Sequence, residues 1–181
     1  MKGVVFTEFL EMVESSFSPL VADRIIEQSE LPSGGAYTAI GTYDHDEMVS
    51  LVSQLSSETG TPVPELLQGF GGYLFGRFVA GYPMFFEGQS SAFDFLATVH
   101  NHIHTEVRKL YADAELPSLE HERPEPNRMV MDYRSSRGLA DLAEGLIRAC
   151  IEHFKETIAV SREDLSDGQN THVRFVLEQQ G

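Results

Sequence analysis

The sequence predicts an α+β fold, in which a helical N-terminal subdomain packs on a C-terminal half with a small antiparallel sheet. Three observations predict it. Apolar residues recur every three to four positions through most of the first 110 residues, the signature of helices with one buried face. Beyond residue 127, two segments alternate apolar and polar with a period of two, as half-buried strands do. The length of 181 residues suits one domain or two closely packed halves, with roughly 70% of the unfolded chain's surface available for burial.

The elements follow in order. Residues 4–17 carry Val5, Phe9, Met12, Val13 and Phe17 on one stripe. Residues 19–28 continue similarly, and Pro32-Ser33-Gly34-Gly35 marks a turn. From Asp46 to Thr59 the stripe is Met48, Val49, Leu51, Val52 and Leu55, and Gly60 stops it as a C-terminal cap. Pro64 opens the next helix, where its missing amide forfeits no hydrogen bond. That helix carries Leu66, Leu67, Phe70, Leu74 and Phe78 among four glycines, Gly69, Gly71, Gly72 and Gly76. Helical glycine is up to ~1 kcal/mol less favourable than alanine, so these predict a close approach, either by a bulky group or by a second helix.

Phe93, Leu96, Val99, Ile103, Val107 and Leu110 keep helical spacing over about five turns. Pro124-Glu125-Pro126-Asn127 is a turn, and Arg128 to Ser135 alternates as a strand with Met129, Met131 and Tyr133 on one side. Residues 138–154 return to helix through Leu139, Leu142, Leu146, Ile147, Cys150 and Phe154. Strands at 157–160 and 171–178 complete the chain. The expected division is a helical subdomain at 1–63 and an α+β unit at 64–181.

Thirteen Lys and Arg against 28 Asp and Glu give a net charge of −15. Such a surface repels a phosphate backbone and an anionic bilayer, so neither nucleic acid nor membrane is an expected partner. No apolar run approaches the ~20 residues that span a bilayer, and the N-terminal stretch turns acidic too early for a signal peptide. The single cysteine, Cys150, supports neither an internal disulfide nor a Cys-rich metal site. The expected location is cytoplasmic.

Two constellations carry chemistry. In Val99-His100-Asn101-His102-Ile103-His104-Thr105-Glu106, three of the seven histidines fall within five residues. On a helix, His100 and His104 share a face with Val107 and Tyr111, while His102 points toward Glu106 and Lys109 and solvent. A neutral imidazole on a buried stripe is either a metal ligand or a hydrogen-bonded core histidine. The spacing His100-x-His102-x-x-x-Glu106 also matches the front of a cupin-type metal site, an alternative that requires a β-barrel. The second constellation is Tyr133-Arg134-Ser135-Ser136-Arg137. A phenol, a hydroxyl and a guanidinium converging at a strand end form a receptor for a carboxylate or phosphate. The plainer alternative is a capping serine beside a surface arginine paired with Asp141 or Glu144.

Tyr133-x-Ser135-x-Arg137 resembles the Y-x-S-x-R motif of haem-nitric-oxide/oxygen-binding (H-NOX) domains, which include the sensor region of soluble guanylate cyclase. The Met1-Lys2-Gly3 start, Phe70-Gly71, the histidine-bearing helix followed by Leu116-Pro117, and the overall length resemble that family too. The resemblance covers essentially the whole chain. It implies haem b (iron protoporphyrin IX) as cofactor and a gas-sensing, non-enzymatic role.

Residue by residue, the resemblance implies His104 as axial ligand, from the tract His-x-Glu-Val-x-x-Leu-Tyr and the spacing to Pro117. His100 is the competitor, since His100-Asn101-His102 is similar to a His-Asp-His of the cyclase. Tyr133, Ser135 and Arg137 then hold the haem carboxylates, and Pro117 and Val5 press on the macrocycle. The position of the oxygen-bonding tyrosine of some relatives is Leu142 here, and the matching distal positions Phe9, Leu74, Phe78 and Leu146 are apolar. An apolar wall favours NO and CO over oxygen, which benefits from a donor. The zinc site of some bacterial relatives has no counterpart around Cys150 and Ser166-Asp167-Gly168-Gln169. The implied partner is a histidine kinase or a cyclic-di-GMP enzyme.

Overall fold

The computed structural model describes residues 1–180; Gly181, the last residue of the expected second unit, lies outside them. Helix α1 spans Gly3–Ser16 and α2 spans Pro19–Gln28. Ser18 separates them: its hydroxyl accepts the Val21 amide at 3.3 Å, and Pro19 starts the second helix. Helix α3 (His45–Thr59) begins at Asp44, whose carboxylate accepts the Asp46 amide. It ends at Gly60, where φ is +72° and the amide donates to the Ser56 carbonyl. Helix α4 runs from Val63 to Gly81, followed by a short 3₁₀ turn at Pro83–Phe85.

Two hydrophobic cores result. The first joins Phe6 and Phe9 of α1, Ile25 of α2, Leu51 and Leu55 of α3, and Phe70 of α4. Phe6, Phe9 and Phe70 are almost wholly buried, each worth roughly 1.5–3 kcal/mol of transfer free energy. The second core lies between helices and a four-stranded antiparallel sheet. Its strands are β1 (Ser118–Glu125), β2 (Arg128–Arg134), β3 (Ile158–Asp164) and β4 (His172–Gln179), in the order β1-β2-β4-β3. Met131 pairs with Phe175, and Tyr133 with Val173, on the face turned to the core. Helix α5 (Ala92–Thr98) and helix α7 (Ala140–His153) cover that face.

Helix α4 contributes to both cores and lies against α7. At their crossing, a Cβ on Gly71 would come within 2.5 Å of the Leu142 carbonyl oxygen, and one on Gly145 within 2.2 Å of the Gln68 carbonyl oxygen. The expectation of a close approach therefore holds at Gly71, where the neighbour is a helix backbone. It fails at Gly69, Gly72 and Gly76, where an added Cβ meets nothing within 4 Å.

Two other expectations are corrected. The helix over Phe93–Leu110 is not continuous: α5 gives way to a π-helical turn at Val99–Ile103, and α6 (His104–Leu110) follows. The His104 amide donates to the Val99 carbonyl, five residues back, which widens the chain where the histidines lie. Strand β1 was not expected. Its sequence, SLEHERPE, is charged and mostly exposed because it forms the sheet edge, so it lacks the alternation that marked β2 and β4. Among the described residues no helix is long and apolar enough to cross a membrane.

Candidate functional site

An apolar cavity of about 330 Å³ opens where the two cores meet, within the range of cofactor sites. Val5 reaches it from α1, Leu74 and Phe78 from α4, and Leu142 and Leu146 from α7. Ile103, His104 and Val107 reach it from the histidine segment, Pro117 from just before β1, and Leu119 from its start. Tyr133, Ser135 and Arg137 complete the wall. Of the residues that the resemblance implies around a haem, Phe9 and the competing ligand His100 are not brought in; Phe9 is fully buried in the first core, edge-on to Phe70 with ring centroids 5.2 Å apart.

The three clustered histidines have three different environments. His104 is in the cavity wall, and its Nδ1 is buried without a hydrogen-bond partner. Burial first, then the charges of Arg108 and His100, push its pKa down to about 4; the Pro117 carbonyl acts the other way but forms no hydrogen bond with Nδ1. Its imidazole is therefore neutral at neutral pH, the form that binds a metal. His100 does not line the cavity; its Nδ1 accepts the Leu119 amide at 3.2 Å. His102 is exposed, edge-on to Phe85.

The cupin-type alternative fails on this geometry. His100 bonds to β1, His102 faces solvent, and Glu106 is paired with Lys109 at 2.5 Å. The three sit on a helical segment, and they do not converge: among the described residues the group close enough to share an ion is Asp44, His45 and Asp46, at the exposed start of α3.

Tyr133, Ser135 and Arg137 are placed by the end of β2 and the turn into α7. Tyr133 is buried, and its hydroxyl accepts the Leu139 amide at 3.2 Å; burial pushes its pKa up. The Ser135 amide pairs with the Thr171 carbonyl, and its hydroxyl accepts the Arg137 amide at 3.3 Å, tightening the turn. The Arg137 guanidinium donates through Nη1 to the Glu115 carbonyl and through Nη2 to the Glu115 carboxylate, each at 2.6 Å. The expected pairing of Arg137 with Asp141 or Glu144 does not form. Both acids are buried and bind Arg162, and Glu144 also binds Arg148 and Gln68.

Sequence reasoning missed several residues of the site. Phe75, Phe95, Met131, Ala143, Ile147 and Cys150 also line the cavity. Met131, Ile147 and Cys150 lie on apolar stripes of the sequence, and nothing in their spacing separates a core wall from a cavity wall; Phe75, Phe95 and Ala143 belong to no stripe named there. Glu115 was missed because its role depends on a contact 22 residues away. Cys150 is fully buried, and burial pushes its thiol pKa up, so it is an apolar lining group rather than a nucleophile.

The family described as Haem-NO-binding matches residues 2–162. The soluble guanylate cyclase gcy-35 of Caenorhabditis elegans is 23% identical over 99% of this chain; the chain spans about 28% of the length of that curated relative. The Fe(II) unliganded H-NOX protein from K. algicida superposes with a TM-score of 0.94 at 38% identity, covering 100% of this chain and 97% of that one. An H-NOX protein from S. oneidensis in the Fe(II)NO state gives 0.91 at 25% identity, covering all of both chains.

Proposed function

The chain belongs to the haem-NO-binding family, and from that premise we propose that it is a haem-based nitric oxide sensor that signals to a partner protein through an NO-dependent change of shape. One observation carries the reading: His104 and Arg137, far apart in sequence, line one apolar cavity. A neutral buried imidazole suits an iron, the greasy walls suit a porphyrin, and the guanidinium suits its carboxylates, so the donor set fits the group. Iron protoporphyrin IX, when bound, supplies a ferrous iron that takes a diatomic gas.

The reading gives each of these residues a role. His104 would hold the iron, since His100 is engaged by Leu119 and does not line the cavity. Tyr133, Ser135 and Arg137, together in the cavity wall, would hold the carboxylates, and Pro117 and Val5, in the same wall, would press on the ring. Leu74, Phe78, Leu142 and Leu146 form the gas-facing wall, which offers no donor and so favours NO and CO over oxygen. Phe9 lies behind this wall, fully buried in the core that also holds Leu74.

The activity is a switch without catalysis. His104 stands where the π-helical turn passes into α6, so a loss of its hold on the group would let these two elements relax and would shift the unit at 1–63 relative to that at 64–181. A ligand moves such an equilibrium only by its differential affinity for the two states. The partner class is a histidine kinase or a cyclic-di-GMP enzyme, reading the surface in the cytoplasm. Absorption spectra of the reduced protein test the reading: a Soret band that moves on adding NO and persists in air without forming an oxygen complex is expected. A colourless protein from haem-supplemented expression sinks it.

A further inference from the structure

We propose that the Glu115 carboxylate is an exchangeable counter-ion for Arg137, which gives up this contact when a ligand carboxylate arrives at the cavity mouth. The inference rests on the reading of the cavity as a haem site and adds a residue that controls how firmly the haem is held.

The two partners differ sharply in exposure: the Arg137 side chain is 16% exposed and that of Glu115 is 80% exposed. A guanidinium so largely withdrawn from water needs a partner at all times, because leaving it unpaired costs its desolvation. The Glu115 carboxylate has no such need, since water solvates it equally well when it swings away. The two contacts also differ in kind. The main-chain carbonyl of Glu115 holds Nη1 and is fixed by the backbone, whereas the carboxylate holds Nη2 from the end of a rotatable chain. The carbonyl thus anchors the guanidinium at the mouth while the carboxylate can leave.

The neighbouring acid has a different assignment. Asp113 accepts from Lys2 at 3.2 Å and from Thr42 at 2.7 Å, which commits it to the N-terminal segment and leaves Glu115 as the side chain paired with Arg137. A ligand carboxylate that takes Nη2 then lies beside the displaced Glu115 charge. Glu115 opposes the ligand twice, as competitor for the guanidinium and as a like charge.

The test is haem transfer from the ferric form of the whole 181-residue chain to excess apomyoglobin, followed by absorbance. Glu115→Gln keeps the size and the main-chain carbonyl and removes the charge; it is expected to slow transfer about threefold, the scale of one exposed charge interaction. Glu115→Asp keeps the charge and stays near the wild-type rate. Raising the salt from 0.05 to ~1 M shrinks the Gln effect, because screening shortens to about 3 Å. Transfer at the wild-type rate or faster from Glu115→Gln, with a native circular dichroism spectrum, overturns the proposal; a faster rate makes Glu115 a support for Arg137 instead. Arg137→Ala speeds transfer if the haem reading holds, so failure of that reading shows itself separately, as no Soret band or as an Arg137→Ala rate equal to wild type.

Discussion

The Leu119 amide donates to Nδ1 of His100 at 3.2 Å, so this histidine fastens the π-helical turn to the first strand of the sheet and is not free to face the cavity. His104, four residues on, has the complementary situation: a place in the cavity wall and a buried Nδ1 with no partner. His104→Gly is expected to abolish the Soret band of the purified protein, with recovery when imidazole is supplied. His100→Gly keeps the band and loses about 1 kcal/mol of stability with the hydrogen bond. The opposite pattern in the two spectra would move the iron to His100.

Leu142 lies in the cavity wall near the point where α7 meets α4. A phenol there would add a donor to an apolar wall. Leu142→Tyr is therefore expected to raise oxygen affinity about fivefold or more, the worth of one ~1 kcal/mol hydrogen bond. The check is the absorption spectrum of the reduced variant in air against wild type. An unchanged spectrum would remove Leu142 from the gas-facing wall.

Much of this was legible in the sequence because it depends on local periodicity. The stripes of α1, α3 and α4 and the alternation of β2 and β4 give most of the buried side, although Phe17 and Val49, read as parts of their stripes, are exposed. Tyr133, Ser135 and Arg137 fall together although β2 ends at Arg134, because the turn that follows keeps all three on the cavity wall. What was not legible depends on contacts across the chain. The π-helical turn at Val99–Ile103 leaves the three-to-four-residue spacing intact, so it cannot be distinguished from an α-helix by pattern. Phe9 satisfies the apolar stripe of α1 whether it faces a cavity or a core, and only the packing against Phe70 decides. Strand β1 is charged on both faces, and Glu115 meets Arg137 through a loop.

The crossing of α4 and α7 is set by glycine at two positions. Gly145→Ala places a methyl 2.2 Å from the Gln68 carbonyl oxygen and 2.8 Å from its Cα, both backbone atoms that cannot swing aside. The helices must separate, and overpacking of this kind costs about 1–3 kcal/mol. Because Leu142 and Leu146 flank the crossing and line the cavity, the Soret maximum is expected to shift as well. Gly72→Ala, with open space around it, is expected to be neutral or to stabilise by up to ~1 kcal/mol. Urea unfolding of the two variants compares them; equal stabilities would mean that the crossing is not as tight as its geometry indicates.

On the outer face of the sheet, Arg174 grips Asp132 with two hydrogen bonds of 2.9 Å, one from Nε and one from Nη2. That grip, followed by the attraction of Arg174, Arg134 and His172, outweighs desolvation and holds the Asp132 carboxyl below the usual aspartate range. A carboxyl whose pKa is lower folded than unfolded stabilises the protein above its unfolded pKa, and that stabilisation disappears as pH falls through the folded value. The side chain is 21% exposed, so the pair is worth about 1 kcal/mol rather than the several expected of a dry one. Asp132→Asn is accordingly expected to lower the unfolding free energy by about that amount at pH 7. The deficit should narrow below pH 4 and vanish once the wild-type carboxyl is protonated. Urea titrations from pH 7 to 2.5 provide the check, and a deficit constant across that range would assign the loss to packing instead of charge.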